Sequence, residues 1–113
     1  MYHVTFPPQS NRAAWPFVGM VTDLDDNPID LSPCSMVFSV RDKNGTRLEA
    51  STDNGTLTFP ALGTFQWFFT KEEMRGFCPG QCDTGLVLWH NDNPSDARQL
   101  SVGPLNIVDG VVP

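Results

Sequence analysis

The chain has 113 residues, a formal net charge of −6 and 18% charged residues. Its seven basic residues are scattered, which argues against a nucleic-acid partner, because nucleic-acid binding depends on clustered Lys and Arg. Apolar runs fall well short of the roughly 18 residues of a membrane span, so we expect no membrane partner. The start of the chain lacks the pattern of a secretion signal, so we expect the protein to fold in a cytoplasm. The length fits one domain over residues 1–113.

Short apolar or alternating runs, separated by turn signals about every ten residues, predict a chain of short strands. Asn44-Gly45 predicts a hairpin, Gly19 a bulge, residues 91–96 a polar loop, and Gly103-Pro104 a break between the last two strands. The predicted strands are Tyr2–Phe6, Trp15–Val21, Met36–Val40, Arg47–Ala50, Leu57–Phe59, Phe65–Phe69, Leu86–His90, Gln99–Val102 and Leu105–Val108.

The stretch from Phe65 to Trp89 concentrates large apolar side chains and should anchor the core. Thr70 precedes Glu73 by three positions, which is the capping-box signature of a helix start, and it predicts a short helix over Lys71–Arg75. Together these features predict an all-β fold, an antiparallel β-sandwich that is immunoglobulin-like in the loose sense, with one short helix.

The three cysteines, Cys34, Cys78 and Cys82, leave several roles open. Cys78 and Cys82 flank a Pro-Gly turn and could form a disulfide with each other, with Cys34 or between subunits. They could also hold a metal with His90, although no motif spacing supports a fourth ligand, and they could be apolar filler. We therefore assign no metal ligand and no cofactor.

No combination of residues predicts an enzyme. The spacing of His and Cys does not mark a nucleophile with its base, and Glu72 and Glu73 are adjacent on one helical turn, so they point in different directions. The three tryptophans allow one alternative, a carbohydrate-binding β-sandwich module with exposed rings. We expect a non-enzymatic protein with no catalytic residues.

Several segments together resemble a known family. Asp26–Ser32 is similar to a G-x-P-I-D-L-T/S turn, and the likeness continues over most of residues 17–112. The chain resembles the small β-rich structural proteins of tailed bacteriophages, in particular the N-terminal β-sandwich of baseplate upper proteins from phages of Gram-positive hosts. It departs from them at Cys82, where the family usually has Tyr or another large residue. The other segments that carry the resemblance are Phe38–Asp42, Asn54–Leu57, Pro79-Gly80, Gly85–Leu88, Leu100–Gly103 and Leu105–Val111.

The resemblance implies a virion component, an adaptor or decoration subunit of the tail, baseplate, neck or capsid surface that is made in the host cytoplasm. Its expected partners are other copies of itself in a ring or lattice and other virion proteins. Both ends of the chain are apolar and bounded by proline, so we expect them to contact neighbours. The alternative is that residues 2–6 form an edge strand of their own sandwich. The predicted contact residues are Tyr2, Val4, Phe6, Val111 and Val112, with Cys78 or Cys82 as a covalent link.

Overall fold

A computed structural model of the chain describes residues 2–3, 6–23, 25–45, 47–77 and 79–108. The elements, in chain order, are β1 (Tyr2–His3), β2 (Gln9–Ser10), β3 (Trp15–Met20), β4 (Cys34–Arg41), β5 (Arg47–Ser51), β6 (Leu57–Ala61), β7 (Thr64–Phe69), α1 (Lys71–Met74), β8 (Gly80–His90) and β9 (Asn93–Val108).

These strands form two sheets with the apolar core between them. The larger sheet has the order β1-β9-β8-β4-β5, with β2 also paired to β9, and the smaller sheet has the order β3-β7-β6. Neighbouring strands are antiparallel, except that the two-residue strands β1 and β2 each run parallel to β9. The predicted all-β sandwich with one short helix is confirmed.

Alternating burial along the strands shows how the sequence builds this core. On β4 and β7 the inward-facing side chains at every second position are buried, which is the pattern of a strand that packs on one face. Between the sheets, Phe38 of β4 stacks on Trp67 of β7 with ring centroids 3.8 Å apart, and Phe17 of β3 stacks on Trp67 at 4.4 Å. The buried side chains are Met36, Phe38 and Val40 on β4 and Phe65, Trp67 and Phe69 on β7.

The predicted turn and helix signals also form. Gly45 has a φ of 85° in the β4–β5 hairpin, a conformation that suits glycine. Thr70 Oγ1 accepts a hydrogen bond from the Glu73 N–H at 3.2 Å, and Glu73 Oε1 accepts one from the Thr70 N–H at 3.1 Å. This reciprocal capping box begins α1.

The predictions for the last part of the chain are wrong. Residues 93–96 of the predicted loop are the start of a strand, and Gly103-Pro104 is not a break, because β9 runs from Asn93 to Val108. Only residues 91 and 92 lie between β8 and β9. Pro104 is tolerated because β1 pairs with β9 at residues 101–102 and β2 at residues 107–108, so the position between them needs no N–H on that side.

Gly19 is not a bulge either, since the pairing of β3 with β7 is regular and places Gly19 opposite Phe65. The glycine is needed for a different reason. A Cβ atom at position 19 would lie 2.3 Å from Cζ of Phe65, so the phenyl ring occupies the space that any larger residue would fill. Gly19 and Phe65 therefore form a cross-strand pair in which an aromatic ring covers a glycine.

We expect Gly19→Ala to lower the free energy of unfolding by about 1–3 kcal/mol, because the added methyl group displaces the Phe65 ring from a packed core. Urea denaturation followed by circular dichroism measures this loss. Val18→Ala is the matched control, since Val18 is exposed and surface changes usually stay within about 0.5 kcal/mol. Equal stability of Gly19→Ala and wild type would contradict the contact.

Candidate functional site

Two of the N-terminal residues predicted to contact a neighbour, Tyr2 and Phe6, lie against their own sandwich. The backbone of Tyr2 pairs with Ser101 in β9, and Phe6 is buried in the core, where its ring meets Trp15 edge-on at 5.6 Å. Phe6 is therefore a core residue, and its prediction as a partner contact is corrected. For residues 2–3 the structure has the alternative arrangement, an edge strand of the same sandwich.

Three of the other residues predicted at contacts, Val4, Val111 and Val112, lie outside the described residues, as does Cys78. Those predictions stay as predictions.

Cys34 and Cys82 lie too far apart to share a disulfide or a metal ion. Cys34 is opposite His90, at the end of β8, whereas Cys82 lies near the start of that strand and is opposite Leu105. Eight strand positions separate Cys82 from His90, which is roughly 26 Å, and a disulfide requires Cα atoms within about 7 Å. Among the described residues, no group of His, Cys, Asp and Glu could hold a metal ion.

Cys34 and His90 are neighbours across β4 and β8, which makes them the described pair closest to a Cys–His arrangement. Burial raises the pKa of the Cys34 thiol above its ordinary value, and the Asp30 carboxylate raises this pKa further. An activated nucleophile needs the opposite shift, toward the thiolate. His90 Nδ1 accepts a hydrogen bond from the Asp92 N–H at 3.3 Å. The raised pKa therefore favours the protonated form of the Cys34 thiol.

The tryptophans do not form a platform for stacking sugars. Trp15 and Trp67 are buried, and their ring centroids lie 5.5 Å apart inside the core. Trp89 is half-buried on β8. A carbohydrate-binding module of the kind considered above would therefore depend on Trp89 alone.

The smaller sheet exposes an apolar outer face that the sequence reasoning missed. The exposed fractions are 64% for Val18, 61% for Met20 and 54% for Phe68. Phe68 on β7 lies opposite Pro16 on β3, and the four residues Pro16, Val18, Met20 and Phe68 are called the outer apolar face below. Leu62, in the adjoining β6–β7 turn, is also exposed.

A sequence signal for this face was present. β3 reads WPFVGM, with no polar residue at alternate positions. A strand that is apolar at successive positions is typical of a sheet covered on both faces. In the described chain only the inner face of β3 is covered, so its outer side chains remain available to something else.

The outer apolar face is also uncharged and lies at a sheet edge. Opposite Val18 and Met20, β7 contributes Gln66 and Thr64, neither of which ionises. β3 has a single strand neighbour, β7, within its sheet. An edge strand without charged residues leaves its main-chain groups open to pairing with another chain.

No protein-family model matches this chain, and no curated protein is similar enough to count as a relative. Among the described residues, no helix has the length and apolar character needed to cross a membrane.

We expect Cys34 to react slowly with iodoacetamide at neutral pH and faster as the pH rises through its raised pKa. Asp30→Asn should lower that pKa and speed the reaction at a fixed pH near 8, because a negative charge next to the thiol is removed while an oxygen acceptor for the Ser32 N–H is kept. Peptide mass spectrometry assigns the rate to Cys34. A faster reaction at neutral pH than that of a free model thiol would contradict the assignment.

Proposed function

We propose that this protein is a non-enzymatic subunit that assembles through protein–protein contacts made by its outer apolar face. The observation that carries the proposal is the exposure of Val18, Met20 and Phe68 side by side on one sheet face. Single exposed apolar residues are ordinary, but adjacent ones on a flat, uncharged surface mark an interaction site in soluble proteins.

The edge position of β3 supports main-chain pairing as part of the contact. Natural proteins usually protect sheet edges with charges, bulges or short strands. β3 has six residues, contains no charge and pairs with β7 in a regular register, with Pro16 near its start as the one protective feature. A strand from a neighbouring subunit could extend this sheet while its side chains cover the outer apolar face.

The net charge of the chain also favours the outer apolar face as the contact surface. Copies of a chain with a net charge of −6 repel one another in general. The outer apolar face and its partners on β7 are uncharged, so repulsion is weakest where two copies meet there. Such a contact would rest on apolar area and main-chain hydrogen bonds.

Within this class, the proposal is a bacteriophage virion subunit, an adaptor or decoration protein of the tail or baseplate, the neck or the capsid surface. Its partners would be other copies of itself in a ring or lattice and other virion proteins, after synthesis in the host cytoplasm. The support is the resemblance described above. Its segments Phe38–Asp42, Gly85–Leu88 and Leu100–Gly103 lie on the adjacent strands β4, β8 and β9, except that Asp42 directly follows the end of β4.

We expect Val18→Glu to reduce self-association and incorporation into phage particles by at least about tenfold, because an unpaired charge buried at the contact costs several kcal/mol and each 1.4 kcal/mol is a factor of ten. Ser95→Glu is the matched control, since it adds the same charge at an exposed position in β9. Light scattering after size-exclusion chromatography measures the oligomer, and mass spectrometry of purified particles measures incorporation.

The far-UV circular dichroism spectra of both variants must match that of wild type, so that any loss reports the contact and not the fold. Normal assembly of Val18→Glu would overturn the outer apolar face as the interface. A wild-type chain that stays monomeric and is missing from purified particles would overturn the virion role itself.

A further inference from the structure

The outer face of the larger sheet carries a polar depression of about 300 Å³. Arg41, the last residue of β4, lies directly opposite Arg47, the first residue of β5, and both are exposed. Their side chains belong to the outer face, because their strand neighbours Val40 and Leu48 belong to the core. The depression is called the arginine pocket below, and its other lining residues are Ser39, Asp83, Thr84 and Gly85.

Small residues leave room beside the two arginines. Ser39 and Gly85 face each other across β4 and β8, so little side-chain bulk covers the sheet there. The Ser39 hydroxyl has no hydrogen-bond partner among the described residues. The pocket therefore offers one hydroxyl and two guanidinium groups to a ligand that accepts hydrogen bonds.

Two arginines directly opposite each other are an unfavourable arrangement within one subunit. Like charges at opposite positions destabilise a sheet, and this chain has only seven basic residues against thirteen acidic ones. Asp83 lies opposite Arg41 on β8 but forms no ion pair with it in the described chain. Arg47 Nη1 lies 4.0 Å from Glu49 Oε1, and both side chains are exposed, so this pair contributes little. Both guanidinium groups are therefore available to a carboxylate from outside the subunit.

The chain also carries acidic side chains that suit this pocket. Residues 13–40 contain no basic residue, and the turn after β3 exposes four aspartates. Asp23 and Asp30 accept backbone hydrogen bonds that hold the turn. The carboxylates of Asp25 and Asp26 accept none from the described residues, so they are available to a partner. These four aspartates are called the acidic turn below.

The acidic turn and the arginine pocket lie on different sides of the subunit. The pocket faces away from the smaller sheet, whereas the turn follows β3 of that sheet, and Val21 at its start donates its N–H to the Gly63 carbonyl at 2.7 Å. The turn leads to Cys34 at the start of β4, and Arg41 lies seven positions further on, roughly 23 Å away along the strand. Each subunit therefore presents the two halves of a contact in different directions, which is the arrangement of a head-to-tail assembly.

We propose that the arginine pocket of one subunit binds the acidic turn of a second copy, through the carboxylates of Asp25 and Asp26. The inference rests on the self-association proposed above and adds a second contact to it. Guanidinium groups bind carboxylates through two parallel hydrogen bonds. The spacing fits as well, because consecutive Cα atoms lie about 3.8 Å apart and opposite Cα atoms in antiparallel strands about 4.5–5.5 Å. Two neighbouring carboxylates can therefore meet two opposite guanidinium groups.

A charge swap tests this contact. The pocket variant carries Arg41→Glu and Arg47→Glu, and the turn variant carries Asp25→Lys and Asp26→Asn. Asn is used at position 26 because Asp26 has a φ of 63°, which Asn also tolerates. Each variant by itself sets like charges against each other at the contact, whereas a mixture of the two restores opposite charges.

Biolayer interferometry, with one full-length chain immobilised and another in solution, measures each combination. At low salt we expect the pocket variant to bind the turn variant at least about tenfold more tightly than either variant binds itself. The outer apolar face is the same in all these combinations, so its contribution is equal. Raising the salt from about 0.05 M to about 0.5 M should weaken the mixed pair, because salt screens exposed charges.

The matched control removes two exposed basic residues elsewhere, through Lys71→Glu and Arg75→Glu, and should self-associate as wild type does. If the pocket variant does not fold, as judged by circular dichroism, Arg41→Gln with Arg47→Gln takes its place. That variant should self-associate about two- to tenfold more weakly than wild type, the effect of losing two exposed ion pairs.

The outcomes separate this contact from the outer apolar face. Equal binding in all variant combinations would overturn the inference and leave the outer apolar face as the interface. Wild-type chains that do not bind each other would overturn both the inference and the proposed self-association. Restored binding in the mixture, together with normal self-association of Val18→Glu, would support the inference and overturn the outer apolar face alone.

Discussion

The stack of Phe17, Trp67 and Phe38 is the contact on which the rest of the molecule depends. It joins β3 and β7 of the smaller sheet to β4 of the larger one, with centroid distances of 4.4 and 3.8 Å. Each buried ring contributes roughly 1.5–3 kcal/mol, and aromatic pairs add about 0.5–1.5 kcal/mol. These gains exceed the roughly 1–3 kcal/mol cost of one unpaired N–H. The core can therefore keep Trp67 Nε1 without a partner in the described chain.

The same stack explains why the smaller sheet has two different faces. Its inner face must carry aromatic rings to reach β4, and Gly19 leaves room for one of them, Phe65. Its outer face does not pack against another sheet in the described chain, yet Val18 and Phe68 on that face are as apolar as core residues. Packing within the described part of the subunit does not account for that composition, whereas the proposed burial against another chain would.

The sequence predicts the parts of this structure that follow from local rules. Alternation along β4 and β7, the Asn44-Gly45 hairpin and the Thr70–Glu73 capping box are properties of neighbouring residues, and all of them form. Pairing between distant strands is not local. Pro104 was predicted to break the strand because the local sequence does not show where β1 and β2 pair with β9. Gly19 was predicted to form a bulge because the local sequence does not show that the Phe65 ring, on another strand, lies against it.

The candidate sites were harder to predict for the same reason. The predicted contacts lie at the chain ends, but Phe6 is buried, whereas the outer apolar face lies on β3 and β7. Met20 is exposed on the outer apolar face and also lines the cleft at the end of β3. A subunit that paired with the end of β3 would also cover this cleft beside Met20 and Thr22.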